Sequence, residues 1–435
     1  MLRNLLFAVG VASAGAAGAA TEIELWHAMH GALGEEVEAL ARRFNASQRE
    51  ARVKTVYQGG YDQTYSRALA AHFSGKGPHL AQVYEAGSAS LLSWKGAIRP
   101  VWQVMADARL PLEPAALVPG VASAFADASG RLLAMPFNTA TPILYYNKDA
   151  FRRAGLDAEK PPLTWYEMAG VLGALIDSGM ACGYATAWPA WVLIENMSLW
   201  HNQEFATRGN GLGGGDARLA FNTHVMMRFV AMLSSWARAG YFTYAGRGDE
   251  AEARFAKGEC GVLTTTSAAQ DHITRDAGFA VGVSHLPYFD DVPGAPQNTA
   301  VGGAGLWVFG GKKPPEYRAV AEFLAFLARP EVQARWHEKT GFLPLSLAAA
   351  ALARKDGFYR RHPGQEIALR QLGAVPTPDS RGIRLGDYRW IRPILDEELE
   401  AVWARVRTPK EALDAAVNRG NALLRGFADA NRIAR

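Results

Sequence analysis

Several side chains stand where chemistry is possible. Glu85 follows the apolar run Leu80-Ala81-Gln82-Val83-Tyr84, the pair Trp26-His27 ends a similar run, and Tyr61 follows Gly59-Gly60 after a third. A carboxylate at the end of a buried strand is costly unless paired or hydrogen-bonded. Glu85 is therefore a helix cap, a salt-bridge partner or a ligand contact. His27 with Glu85 has the groups for general acid–base work, although a strand-end histidine among apolar neighbours reads first as a hydrogen-bonded structural residue. Thr264-Thr265-Thr266-Ser267 closes a strand in hydroxyls; Ser267 would cap the next helix, leaving turn amides for an anion. Gly302-Gly303 lets backbone approach a ligand, or simply turns the chain. Trp188, beside Pro189, is a stacking platform or a core filler. Arg392 closes an arginine-rich loop from Arg384, either solvated or suited to clamping phosphate or carboxylate.

The patterns of several enzyme classes are missing. No paired carboxylates, His/Asp metal cluster or Gly-x-Ser-x-Gly elbow is found. The glycine-rich residues 209–216 lack the Lys-Ser/Thr of a phosphate loop. Neither Cys182 nor Cys260 has a histidine beside it, so a metal site there is rejected; separately, no cofactor is implied. A formal charge of +4 over 435 residues, without a dense Lys/Arg run, argues against nucleic acid and is compatible with an anionic ligand.

The elements that position these groups alternate. Strand-like runs at 23–27, 53–57 and 80–84 are separated by helical patterns, 34–44 and from Tyr61 towards His72. That βαβαβ rhythm predicts a parallel sheet wound by helices, with ligand groups at the carboxyl ends of strands. The run at 143–146 reads as a buried strand between turns, and Thr164 with Glu167 as a capping box. Residues 279–286 look like a strand returning to the first unit, and 396–406 like a helix. At 435 residues the chain is too long for one core and suits two lobes. Residues 1–20 have a basic start, a short apolar stretch and small residues before Ala20, Thr21 or Glu22, the pattern of a cleaved export leader. Export permits disulfides.

The ordered run Tyr145-Tyr146-Asn147-Lys148-Asp149, Phe151…Ala154-Gly155-Leu156-Asp157, Pro161-Pro162 and Thr164-Trp165 resembles the extracellular solute-binding proteins of ABC importers. Thr340-Gly341-Phe342-Leu343-Pro344 and the motifs at 26–29, 61–63, 82–87, 295–303 and 384–400 are similar to the glycerol-phosphate-binding branch of that family. The resemblance implies a type II two-lobed α/β fold with a hinge, lobe 1 being 21–131 plus 283–330 and lobe 2 being 132–282 plus 331–435. It implies a periplasmic monomer that closes over a small anionic ligand and docks on a membrane permease. Cys182 and Cys260, both assigned to lobe 2, are expected to be bridged. Carried over by position, Tyr61 and Glu85 would hold glycerol hydroxyls and Trp188 would pack on the carbon backbone. Thr266, the Gly303 amide and Arg392 would face phosphate.

Two positions depart from the branch: Ala140 replaces a serine and Phe342 a tyrosine. Each change removes a hydroxyl donor, a greater loss for a phosphate dianion than for a diester monoanion. A glycerophosphodiester such as glycerophosphocholine thus competes with glycerol-3-phosphate as the expected ligand, unless Thr139, Thr141, Ser267 or water compensates. An exported hydrolase of glycerophosphodiesters or sugars is the alternative of another class.

Overall fold

A computed structural model describes residues 20–433; the expected leader lies outside them apart from Ala20. Nine strands form two sheets. They are β1 (Thr21–His27), β2 (Ala51–Tyr57), β3 (Leu80–Tyr84), β4 (Met135–Ala140), β5 (Pro142–Asn147), β6 (Cys182–Thr186), β7 (Cys260–Thr266), β8 (Val281–Ser284) and β9 (Gly302–Val308). The first sheet runs β2-β1-β3-β9-β4 and the second β6-β7-β5-β8. β1 is parallel to β2 and β3, as the βαβαβ rhythm predicts, while β9 runs antiparallel between β3 and β4. In the second sheet β6 and β7 are parallel and β5 is antiparallel to both neighbours.

Helices Gly31–Ser47, Tyr61–Phe73 and Pro314–Leu327 pack on the first sheet; Trp165–Asp177, Glu250–Ala256 and Pro363–Arg370 pack on the second. β5 is buried on both faces. Ile143 and Tyr145 join the core continuous with the first sheet, whereas Leu144 and Tyr146 join the core that reaches the C-terminal helices Tyr388–Trp403 and Pro409–Ile433. That is the two-residue alternation of a strand with no solvent face. The expected capping box is present: the Thr164 hydroxyl accepts from the Glu167 amide, and the Glu167 carboxylate from the Thr164 amide, both at 3.1 Å.

Three segments sit elsewhere than expected. β4, from Met135, belongs to the first sheet, so the chain crosses at Thr141 rather than at 132. β8 does not return to the first lobe: it pairs with β5, where the bare Gly282 lies under the Tyr146 ring, 2.1 Å from where a Cβ would be. The helix Pro330–Thr340 packs on Gly31–Ser47 of the first lobe, and Trp336 stacks on Phe137 at 4.7 Å. The link after Gly341 is held by the Leu343 amide donating to the Thr139 carbonyl at 2.7 Å.

Cys182 and Cys260 are bridged and are register partners on β6 and β7. With a sequence separation of 78, the chain-entropy model allows the bridge up to about 4.5 kcal/mol of stability. Cys182→Ala with Cys260→Ala should therefore lower the unfolding free energy by roughly 2–4 kcal/mol in urea titrations. An unchanged midpoint would show that the paired strands alone hold the two ends.

Candidate functional site

The carboxyl ends of the first-sheet strands meet the second lobe around one guanidinium. Arg392 donates from Nε and Nη2 to the two oxygens of Glu195, at 2.7 and 2.8 Å, and from Nη2 to Glu85 at 2.8 Å. Glu85 opens a 3₁₀ turn directly after β3, where the sequence places it. Glu195 ends the π-helical turn Ala190–Glu195, a type of distortion frequent at functional sites. The side chains are 22% (Arg392), 17% (Glu85) and 2% (Glu195) exposed, so Glu195 is the member sealed from solvent. Burial pushes the Glu85 carboxyl up, and Glu195 adds to the push against the pull of Arg392. Burial draws the guanidinium down, but the two carboxylates more than reverse it.

Arg392 is not in a loop. The helix expected from 396 begins at Tyr388, anchored by the buried Tyr388 and Ile391, and continues through Pro393. One helical turn beyond Arg392, Asp396 accepts from the Ala190 amide at 3.0 Å and so holds the start of the turn that ends in Glu195. Trp188 precedes that turn in a left-handed backbone conformation (φ 52°), its amide bonded to the Gly248 carbonyl at 2.8 Å and its side chain 42% exposed. Non-glycine residues at such φ are strained and cluster at functional sites.

Tyr61 begins its helix and stacks on Tyr84, with ring centroids 5.4 Å apart. Its hydroxyl accepts from Asn138 Nδ2 at 2.6 Å; Asn138 Oδ1 accepts from Gln82 Nε2 at 2.7 Å; Gln82 Oε1 accepts from the Ala28 amide at 2.7 Å. The amide at the far end is a fixed donor, so the relay has one direction, and it leaves the Tyr61 proton free to donate. Sequence reading missed Gln82 and Asn138 as functional; their signal is a polar side chain inside a buried strand. Glu195 was missed too, a lone acid in the apolar run Val192-Leu193-Ile194.

A second group surrounds the crossing. Ala140 faces Gly302 across β4 and β9, and the Trp191 indole fills the space at Gly302, where a Cβ would lie 2.6 Å from the ring. Gly303 has φ +102°, and a Cβ there would fall 1.9 Å from the Asn138 carbonyl oxygen; only glycine fits. Thr266 ends β7, and its own hydroxyl, not that of Ser267, accepts the turn amide of Ala268 at 3.3 Å. Ser267 instead donates its amide to the Thr141 carbonyl at 2.8 Å. Phe342 is buried and stacked on Trp336. The Thr141 hydroxyl is taken up by Thr299, whereas the buried Thr139 hydroxyl has no partner among the described residues.

The structure thus joins Tyr61, Glu85 and Arg392 in one group and Ala140, Gly303, Thr266 and Phe342 in another, with Trp188 beside the turn that carries Trp191 and Glu195. Among the described residues no hydrogen bond or ion pair links Arg392 to the second group. The expected phosphate clamp is instead occupied by carboxylates. His27 is buried at the end of β1, where burial lowers its pKa, and its Nδ1 has no partner among the described residues; it forms no hydrogen bond or ion pair with Glu85 there. No group of three or more His, Cys, Asp or Glu among those residues is placed to hold a metal ion, and none of their helices is long and apolar enough to cross a membrane.

Burial pushes Asp396 from the ordinary 3.8 up to about 7, with Glu195 adding and the Ala190 amide, Arg247 and Arg392 opposing. The folded protein therefore holds that proton more tightly than the unfolded chain. The associated stability is complete below about pH 4 and is lost as pH rises to about 7. Asp396→Asn should remove this slope and be more stable than the parent above pH 7, by roughly 2 kcal/mol. Urea titrations at acid and neutral pH measure it, and parallel profiles for the two proteins would contradict it.

Comparison with known proteins follows the same lines. A profile described as bacterial extracellular solute-binding protein matches residues 39–363. The chain is 47% identical over 416 residues to the sn-glycerol-3-phosphate-binding periplasmic protein UgpB of Yersinia pestis, covering 95% of this chain and 94% of that one. It is 46% identical to the protein of that name from Salmonella typhimurium, covering 98% and 97%. Among solved structures, the cyclic α-maltosyl-1,6-maltose binding protein of Arthrobacter globiformis superposes with a TM-score of 0.78 at 22% identity, covering 94% of this chain and 100% of that one. UgpB of Mycobacterium tuberculosis, solved with glycerophosphocholine, superposes with a TM-score of 0.73 at 21% identity, covering 94% and 99%. At those identities the two structures establish a shared fold.

Proposed function

The chain belongs to the bacterial extracellular solute-binding proteins that serve ABC importers, and from that premise we propose that it captures sn-glycerol-3-phosphate or a glycerophosphodiester in the periplasm and presents it to a membrane permease. The observation that carries this reading is the ion pair between Glu85 of the first lobe and Arg392 of the second, with Tyr61 stacked on Tyr84 beside Glu85. The Glu85–Arg392 contact joins the lobes where a ligand would be enclosed. A glycerol hydroxyl would take the place of Arg392 on Glu85, and Tyr61 would donate to a second. The freed edge of Arg392 would meet phosphate, with the Gly303 amide and Thr266 further along and Trp188 against the carbon chain. Hinge motion about the crossings at Thr141, 285–301 and 341–346 would admit and release the ligand. The protein acts as an exported monomer, after loss of residues 1–20, and binds without turnover or cofactor.

The donor-poor positions Ala140 and Phe342 favour the diester. Both are buried, and Thr141 beside them is already engaged by Thr299, which leaves the unpartnered Thr139 hydroxyl as the side-chain donor next to Ala140. Calorimetry with glycerol-3-phosphate, glycerophosphocholine and maltose should give binding of the first two, the diester at least as tight, and none of maltose. Ala140→Ser with Phe342→Tyr should shift preference towards the monoester by about 2–4 kcal/mol, one hydrogen bond to charge at each site with allowance for coupling. Maltose binding alone would overturn the reading. A monoester preference of about a hundredfold in the unmodified protein, roughly 2.7 kcal/mol, would overturn the role given to the two departures.

A further inference from the structure

We propose that Glu195 is a specificity-determining residue: by holding Arg392 it sets how much negative charge the site accepts, and it selects a singly charged phosphodiester over a doubly charged monoester. The inference rests on the function proposed above but not on Ala140 or Phe342.

Glu195 grips Arg392 with both oxygens, occupying Nε and one face of Nη2, and its side chain is 2% exposed. It is sealed behind the guanidinium, so it acts through Arg392 as a positioning residue. Glu85 differs. It comes from the other lobe, holds Arg392 by a single bond and is more exposed, so ligand hydroxyls can replace that bond. One cation thus stands between two acids, which outnumber it when both are ionised. The other groups facing this cluster do not cancel the excess. Tyr388 lies under the guanidinium, its ring centroid 5.5 Å from Cζ, and its buried hydroxyl has no hydrogen-bond partner among the described residues. Asp396 adds a titrating acid one turn on, and the nearby Arg247 is paired with Glu400.

Electrostatic repulsion grows with ligand charge. A phosphodiester carries one negative charge at any pH near neutral. A phosphomonoester passes from one to nearly two across its second ionisation near pH 6. At Arg392 the second charge meets a guanidinium whose charge Glu195 already balances, because Glu195 stays in place when ligand hydroxyls replace the Glu85 bond. A phosphate site built for the dianion would present an unopposed guanidinium fork, bidentate to two phosphate oxygens.

The test is calorimetry with glycerol-3-phosphate and glycerophosphocholine on the unmodified protein, Glu195→Gln, Glu195→Asp and Asp396→Asn. In the unmodified protein, the ratio of monoester to diester Kd should rise about tenfold between about pH 5.5 and pH 8, across the phosphate ionisation. Glu195→Gln should flatten that rise and move preference towards the monoester by about tenfold at the higher pH, because one carboxylate charge is gone. Glu195→Asp keeps the charge and should keep the rising ratio even where both affinities fall, an outcome that a purely structural role would not produce. Asp396→Asn should also keep it; a flat ratio there would assign the effect to Asp396 and overturn the proposal. Equal changes for both ligands in Glu195→Gln would overturn it as well. Should that variant fail to fold, the pH trends of the unmodified protein and Glu195→Asp decide, a flat or falling ratio overturning the proposal. Failure of the unmodified protein to bind either ligand overturns the transport function and this inference together, whereas binding with a flat ratio overturns this inference alone.

Discussion

Ala140 ends one sheet and Pro142 begins the other, so the chain passes between lobes through a single residue. Thr141 is fully buried, bonded through its hydroxyl to Thr299 and through its carbonyl to Ser267. So short a connection, tied to the second crossing by one bond and to the end of β7 by another, fixes where the two sheets stand relative to each other. The rest of the site depends on it. Ala140, Gly302 and Gly303 flank the crossing on the first-sheet side and Thr266 on the other, while the link after Gly341 is pinned to Thr139. Rotation about the crossings, the motion proposed for ligand capture, would change the space between Glu85 and Arg392.

Arg392 is the counterpart of that constraint at the far side of the cleft. Removing one partner from a buried charge pair is far more costly than the pair is stabilising, because an uncompensated charge remains. Glu195 and Arg392 therefore behave as one unit on the second lobe, and Glu85 as a visitor from the first. The Glu85 bond to Arg392 ties the two lobes to each other. On the proposed function, a ligand would offer Glu85 and Arg392 separately what each offers the other here. A small molecule carrying both hydroxyls and an anionic group fits that requirement, and a neutral sugar supplies only half of it.

Much of this was legible in the chain. The parallel β1–β2–β3 core, the Thr164 capping box, the Cys182–Cys260 bridge and the strand-end position of Glu85 all follow from local pattern or from the export leader and family resemblance. What was not legible depends on partners far apart in sequence. Val281-Gly282-Val283-Ser284 says that a strand is present but not which sheet it joins; that was decided by the Tyr146 ring over Gly282. Arg392 read as a free cation because nothing in its own neighbourhood shows that an acid 197 positions away lies against it. The helix from Tyr388 was hidden by Pro393, which reads as a stop until the buried Tyr388 and Ile391 are seen to hold the turn before it.

The one-way relay from Ala28 through Gln82 and Asn138 leaves the Tyr61 hydroxyl proton free to donate, while Glu85 accepts from Arg392. On the proposed function, two neighbouring hydroxyls held between them would be told apart, one as the giver of a hydrogen and the other as the taker. With the anionic end of the molecule pointed at a third, chemically different place, the three attachments are non-equivalent and cannot be exchanged by turning the molecule over. Three unlike anchors around a carbon centre are the least that can register handedness. On the proposed function, a mirror-image glycerol phosphate would satisfy any two of them and miss the third.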